Sequence, residues 1–229
     1  MSSWLILVLP ALLFGLWAQF RVRSAYARAS RIRSRRGLTG AQAAHQILST
    51  EGVDNVAVEP TRGFLSDHYH PIAKKLRLST ANYEGDSLAA VGVSAHEAGH
   101  ALQDARNYFP LKIRSALVPV CTVGSFLGQI AIVFGLLLAY SGLGRGLLLA
   151  GILGYAAVFL FTLVTVPVEV DASRRALVAL ADGGLVAPDE LPEVRRVLSA
   201  AALTYVASAV SVLATLLHLL VIYNRTDGD

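Results

Sequence analysis

The sequence is poor in cysteine and in charged residues. Cys121 is the single cysteine among 229 residues, so the chain can form neither an internal disulfide nor a thiolate metal site of the CxxC type. Charged residues make up only 16% of the chain, whereas hydrophobic residues make up 54%. Any metal site must therefore use histidine and carboxylate ligands.

Charge is absent from four long stretches, each near the length that a helix needs to cross about 30 Å of hydrocarbon. They are residues 4–20, 117–140, 147–167 and 201–223. No small-residue cleavage site precedes the arginines that follow the first stretch, so we interpret it as an uncleaved anchor. The sequence thus predicts a mainly α-helical integral membrane protein with four transmembrane helices.

The arginines and lysines are divided unevenly between the segments that join these stretches. Of the 20, all but Arg145 and Arg225 lie in residues 21–115 and 169–200. Because basic residues mark the cytoplasmic side, we expect a multi-pass protein of the cell membrane with its N-terminus outside and both polar segments in the cytoplasm. The net charge of +4 fits this topology and a lipid bilayer as partner. No nucleic-acid motif accompanies the arginines, so we expect no nucleic-acid partner.

These features predict six segments along the chain. They are an N-terminal transmembrane anchor (1–20), a cytoplasmic catalytic segment (21–115), a transmembrane hairpin (116–168), a cytoplasmic helical segment (169–200), a C-terminal transmembrane helix (201–223) and a tail (224–229).

The first cytoplasmic segment contains the pentapeptide His96-Glu97-Ala98-Gly99-His100. Histidines four residues apart project from one face of a helix and can hold a zinc ion between their rings. The residue after the first histidine, Glu97, is then placed to take a proton from a metal-bound water. An Ala-rich run without proline surrounds the motif, with Asp86 or Ser87 as the N-cap, and this run predicts a helix. The alternative is a buried histidine pair without a metal, which is costly among alanines and valines.

Two alternating segments precede this helix and flank a polar cluster. Residues 55–59 and 74–79 alternate as strands and predict a small antiparallel pair, and a substrate peptide could pair with the edge of the second strand. Between them, the cluster of Asp67, His68 and Tyr69 could orient a metal-bound histidine, donate to an oxyanion or add a ligand. The same residues are also typical of a polar turn, and both interpretations stay open.

Zinc bound by two histidines needs at least one further protein ligand. The first carboxylates after the third apolar stretch are Glu169 and Asp171, in a helix that we expect to begin after Pro167. Successive helix residues differ by about 100°, so the two side chains point to nearly opposite sides and only one is expected to face the metal. Asp171 shares a face with Arg174 and Arg175 and has an ordinary role as their ion-pair partner. We therefore favour Glu169 as the third ligand and keep Asp171 as the alternative.

Four stretches carry a resemblance to a known family: LSDHYHP at 65–71, KKLRLS at 74–79, HEAGHALQ at 96–103 and PVEVDASRRAL at 167–177. Over essentially the full chain the sequence resembles the YugP-type family of zinc-dependent membrane peptidases and, more distantly, the membrane gluzincins. The resemblance implies a small cytoplasmic α+β, zincin-like catalytic part and one Zn²⁺ ion. It implies His96, His100 and Glu169 as zinc ligands and Glu97 as the base.

The sequence departs from the gluzincin pattern at one position. Those proteins follow HExxH with a Glu-x-x-x-Asp helix, and Ser173 stands where their aspartate would be. Asp171, Asp104 and Asp67 are the candidate substitutes for that aspartate.

The resemblance and the motif together predict an endopeptidase that hydrolyses peptide bonds with a metal-activated water. We expect a peptide or membrane-protein substrate, or its cytosolic segment, and a membrane-protein adaptor or a second copy of the chain as a candidate partner. The oxyanion donor could be His68, Tyr69, Arg174 or Arg175. One alternative is a non-catalytic membrane metal-binding or scaffold protein, but such a protein would not need Glu97. A second alternative is a transporter, but the apolar stretches contain too few ionisable groups to form a transport route.

Overall fold

The computed structural model describes residues 3–63, 66–138 and 141–225. The predicted tail beyond residue 225 and the end of the second apolar stretch at residues 139–140 lie outside the described residues. The elements in chain order are α1 (Ser3–Ala29), α2 (Gly40–Thr50), β1 (Ala57–Thr61), β2 (His68–His70), β3 (Lys75–Ser79), α3 (Thr80–Glu84), α4 (Leu88–Ala105), α5 (Phe109–Leu137), α6 (Gly142–Asp182) and α7 (Leu191–Arg225).

Four of the described helices, α1, α5, α6 and α7, are long and apolar enough to cross a membrane. This confirms the prediction of a mainly helical chain with four helices of membrane-spanning length. The prediction that a helix begins after Pro167 is wrong, because α6 runs through that residue and is 41 residues long. Proline is tolerated within long apolar helices, since neighbouring groups satisfy the backbone carbonyl that its missing N–H leaves without a donor.

The chain divides into two compact units. The first unit comprises residues 1–18, 113–166 and 204–229 and contains most of the apolar residues of the long helices. Within it, α5 and α6 approach each other closely through small residues. A Cβ added at Gly151 would lie 2.4 Å from Ile132 Cγ1, and one added at Gly154 would lie 3.3 Å from Gly128 Cα. Glycines at such contacts let two apolar helices pack backbone to backbone.

The second unit comprises residues 19–112 and 167–203 and holds all of the sequence-predicted site residues. Its core is formed by the buried face of α2, the sheet, α4 and the adjoining ends of α6 and α7. Thr39 begins α2 with a capping box, in which its side chain and that of Gln42 each accept a backbone N–H. The apolar residues of α2, such as Ile47 and Leu48, then share one buried face.

The sheet differs from the predicted antiparallel pair. Its order is β1-β3-β2, with β1 parallel and β2 antiparallel to β3. The chain reverses twice between β1 and β3 because His68–His70, in a stretch that is also typical of a polar turn, forms a strand of its own. The central strand β3 has neighbours on both sides, so the prediction that a peptide pairs with residues 74–79 is wrong. A peptide could add only to β1 or β2.

One glycine decides how closely α4 and α6 pack. A Cβ added at Gly99 would lie 2.4 Å from the backbone oxygen of Ala172, a distance that no side-chain rotation can relieve. Gly99 therefore lets α4 touch the backbone of α6 at this point. The neighbouring turns of α6 carry Glu169 and Ser173, so this contact brings both residues to the histidines of α4.

Candidate metal centre

Helix α4 carries both histidines of the pentapeptide. The Ser87 side chain accepts the backbone N–H of Ala90, so Ser87 is the N-cap, as one of the two predicted residues. The rings of His96 and His100 lie edge to face, with their centroids 4.8 Å apart. His100 and Glu97 are buried, and His96 is partly buried.

Three donor atoms from α4 and α6 converge within the second unit. The structure brings His96, His100 and Glu169 together so that one ligand atom of each lies within 4.8 Å of the others. His96 Nε2 lies 3.2 Å and His100 Nε2 lies 3.7 Å from Glu169 Oε2. Zinc bonds of about 2.0–2.1 Å place tetrahedral ligands about 3.3 Å apart, so the two distances to Glu169 Oε2 are close to the edges of a zinc tetrahedron. Imidazole nitrogen and carboxylate oxygen are also ligands that zinc prefers, and the three residues therefore fit this metal.

The second ring nitrogen of each histidine has a partner of its own. His96 Nδ1 lies 3.1 Å from Ser173 Oγ, and His100 Nδ1 lies 3.0 Å from Gln103 Oε1. Contacts to the ring nitrogen that does not bind the metal, called outer contacts below, fix the ring orientation and the tautomer of metal-binding histidines. Ser173 thus occupies the place that the gluzincin aspartate would take, and it contacts the ring with a hydroxyl instead of a carboxylate.

Gln103 is a positioning residue to which the sequence analysis gave no role. Its side chain is fully buried, and its Nε2 donates to Val168 O at 2.8 Å and to Asp171 Oδ2 at 3.0 Å. Because both of these partners can only accept, the amide orientation is set, and Oε1 must accept the Nδ1–H of His100. That tautomer leaves His100 Nε2 with a free lone pair directed at the metal position. The spacing of three residues after His100 on a helix is the signal that could have revealed Gln103.

The two carboxylates of α6 face different surroundings, as their helical spacing predicts. Burial alone would raise the pKa of Glu169, but hydrogen bonds and charge from His100 and His96 outweigh burial and hold its pKa well below the usual range. Asp171 instead accepts from Arg174 and Arg175 at 2.6 Å each. Its pKa is also lowered, because these hydrogen bonds and that of Gln103 outweigh partial burial. Glu169 is the carboxylate that faces the histidines.

Glu97 lies beside this donor set with an altered acidity. The pKa of its carboxyl is raised to about 7, chiefly by burial; the charge of His96 opposes this shift, those of Glu169 and Asp67 add to it, and that of His68 opposes it. A carboxyl with a pKa near neutrality can both take and return a proton at physiological pH. A cation bound at the neighbouring donors would draw the pKa down again by its own charge.

The Asp67–Tyr69 cluster does not add a ligand to the centre. Asp67 accepts from the backbone and side chain of Ser79 and from Asn82 Nδ2, so it ties β2 to the end of β3 and to α3. Tyr69 donates its hydroxyl to Asp104 Oδ2 at 2.6 Å. Neither aspartate contacts His96 or His100, so neither replaces the gluzincin aspartate.

The hydroxyl of Tyr69 is engaged by Asp104. Burial raises the pKa of Tyr69, and the carboxylate of Asp104 raises it further. Lys74 Nζ also donates to the same carboxylate oxygen at 2.6 Å. Asp104 of α4 thus joins Tyr69 of β2 and Lys74 of the β2–β3 turn to the helix.

Two histidines on one helix and a buried glutamate from a second helix form a donor set of the kind found in zinc metalloproteins, in a chain with four helices of membrane-spanning length. Residues 4–224 match the model of a family described as "Putative neutral zinc metallopeptidase". The chain belongs to this family. Over 219 residues it is 39% identical to "Putative membrane protease YugP" of Bacillus subtilis (strain 168), and the alignment covers 96% of each chain. No solved structure matches the chain.

Proposed function

We propose that the chain is a zinc-dependent membrane endopeptidase that hydrolyses peptide bonds in membrane proteins or in their cytosolic segments. The observation that carries this proposal is the convergence of His96, His100 and Glu169 next to Glu97. The family description and the printed name of the Bacillus relative support the same activity. That the centre faces the cytoplasm stays a prediction from the distribution of arginines.

The proposed chemistry assigns one task to each side chain. Zinc held by His96, His100 and Glu169 would supply the Lewis acidity that polarises a peptide carbonyl and activates a water molecule. Glu97 then accepts a proton from that water and passes it to the leaving amine. Burial raises the pKa of Glu97 to about 7 without a metal, and the charge of a bound cation would lower it towards the ionised form that accepts the proton.

Among the four candidate oxyanion donors, the contacts favour His68. Tyr69 is committed to Asp104, and both Arg174 and Arg175 are committed to Asp171. His68 Nδ1 lies 2.8 Å from Ser66 O, which can only accept, so the proton is on Nδ1 in the neutral ring. Nε2 is therefore the ring nitrogen left to face a substrate, and His68 lies close enough to Glu97 for its charge to lower the pKa of that carboxyl. We therefore assign His68 to the charge that develops on the carbonyl oxygen.

Replacing His68 by alanine is expected to lower kcat by about 10²- to 10³-fold, the usual cost of removing one oxyanion donor. The bound zinc should be unchanged, since His68 contacts none of the three metal donors. The measurement is kcat and KM for cleavage of casein by the purified chain, together with zinc content. His70→Ala on the same strand is the control, because His70 Nδ1 accepts the backbone N–H of Ala73. Equal activity of the two variants would remove His68 from the mechanism.

Removal of zinc tests the proposed function itself. A chelator is expected to abolish casein cleavage, and stoichiometric Zn²⁺, unlike Mg²⁺, should restore it. Zinc at a thousandfold excess over its Kd should also stabilise the fold by about 4 kcal/mol, because it binds only when α4 and α6 are in place. Thermal unfolding with and without zinc measures this shift. Full activity of the zinc-free chain would contradict the proposal.

A further inference from the structure

A cavity of about 800 Å³ lies in the second unit, away from the histidines, where the C-terminal part of α1 meets the N-terminal part of α7. Its wall includes four arginines, Arg21 and Arg28 of α1 and Arg195 and Arg196 of α7. The one acidic residue in the wall is Glu193. The cavity is therefore lined by a clear excess of positive charge.

The single acidic residue does not neutralise this charge. Glu193 is shared by two of the arginines, since its carboxylate lies 3.0 Å from Arg28 Nε and 2.6 Å from Arg196 Nη1. Arg195 is exposed and forms no ion pair with any residue that the structure describes. The two ion pairs join Arg28 of α1 and Arg196 of α7 through this one carboxylate.

On both helices the cavity lies where an uncharged apolar stretch meets basic residues. In α1, residues 4–20 carry no charge, and Arg21 is the first charged residue after them. In α7, Arg196 is the last charged residue before an uncharged stretch that extends to Arg225. For helices that cross a bilayer, the change from apolar to basic residues falls at the level of the lipid headgroups. The cavity wall has this dual character as well, because Phe20 and Leu203 line it together with the arginines.

We propose that this cavity binds the phosphate of an anionic phospholipid, with Arg21 and Arg195 as its principal contacts. Arginine presents a planar fork of donors that matches two phosphate oxygens. The apolar part of the wall would contact the start of the acyl chains, which a free phosphate ion lacks. The lipid would thus join α1 to α7 at the membrane surface, and its binding does not depend on the proposed peptidase activity.

The test compares lipid binding by two charge-matched variants of the full chain in detergent micelles. Arg21→Gln with Arg195→Gln removes two charges from the cavity. Arg23→Gln with Arg31→Gln removes two from exposed positions outside it in the same basic segment. The cavity pair is expected to bind phosphatidylglycerol roughly tenfold or more weakly, and the control pair to change by less than about twofold. Native mass spectrometry of retained lipid and titration with a labelled phosphatidylglycerol measure the difference.

Further measurements distinguish a bound lipid from a free phosphate ion, and a specific site from general attraction to positive charge. Phosphatidylcholine, which carries the same phosphate without a net charge, should be retained poorly, and millimolar inorganic phosphate should not displace phosphatidylglycerol. Displacement by inorganic phosphate would overturn the assignment to a lipid in favour of a free anion. An equal loss in both charge variants would overturn the cavity in favour of diffuse surface attraction.

A third variant guards against an effect of charge loss on folding. Ser199→Trp keeps all four arginines and fills the cavity from an exposed wall position. It should weaken phosphatidylglycerol binding while leaving the melting temperature of the chain unchanged. Undiminished binding by this variant would contradict a lipid seated within the cavity.

Discussion

Replacing Glu97 by glutamine is expected to lower peptide hydrolysis by about 10²- to 10⁴-fold, the range that a general base contributes, while one zinc ion per chain stays bound. The substitution keeps the shape of a buried side chain and removes only its ability to accept a proton. Burial raises the pKa of Glu97 to about 7, so the protonated, uncharged carboxyl is already tolerated at this position, and the amide of glutamine is uncharged as well. The fold should therefore persist. Zinc content by mass spectrometry and casein cleavage measure the two effects.

Glu84→Gln is the matched control for this experiment, because Glu84 is an exposed glutamate of α3 in the same unit. It should retain both zinc and activity. The comparison also separates the peptidase from a metal-binding scaffold, since a scaffold needs no base. If Glu97→Gln cleaves casein as fast as the control, the assigned mechanism is wrong and the scaffold interpretation gains.

The helical parts of the structure were predictable because their signals are local. The serine cap, the alanine-rich run and the four-residue histidine spacing all lie within α4, and four uncharged stretches suffice to indicate four long helices. The choice of Glu169 over Asp171 also rests on a local rule, the 100° step between helix residues. The structure brings Glu169 to the histidines and Asp171 to the arginines, as that rule predicts.

The sheet and the outer contacts of the histidines were less predictable, because they depend on residues distant in sequence. The direction of β1 relative to β3 depends on β2, whose His-Tyr-His sequence is too short for a period-2 pattern to show. Gln103 acquires its role from Val168 and Asp171 on α6. Ser173 reaches His96 only because Gly99 lets the two helices touch. Pairings of this kind follow from the tertiary packing and have no local signature.

Replacing Glu169 by glutamine is expected to lower zinc affinity by more than the roughly 10- to 100-fold that loss of an outer contact costs. Glu169 is 1% exposed, and its carboxylate is the charged member of the donor set, so the neutral amide leaves the three donors without a negative charge. Activity should fall with zinc occupancy. Competition with a chromophoric chelator measures the affinity directly, and circular dichroism confirms that the variant has folded.

Asp171→Asn provides the comparison that decides between the two carboxylates. Asp171 contacts Arg174, Arg175 and Gln103 and none of the metal donors. Its replacement therefore affects His100 only indirectly, through the Gln103 side chain that contacts the His100 ring. Its zinc affinity should fall by no more than about 10- to 100-fold. The reverse order, with Asp171→Asn losing zinc and Glu169→Gln keeping it, would make Asp171 the third ligand. It would also require α6 to rotate by about half a turn, because two residues along a helix subtend about 200°. Such a rotation would break the contact of Ser173 with His96, so a retained Ser173 contact and a zinc-binding Asp171 exclude each other.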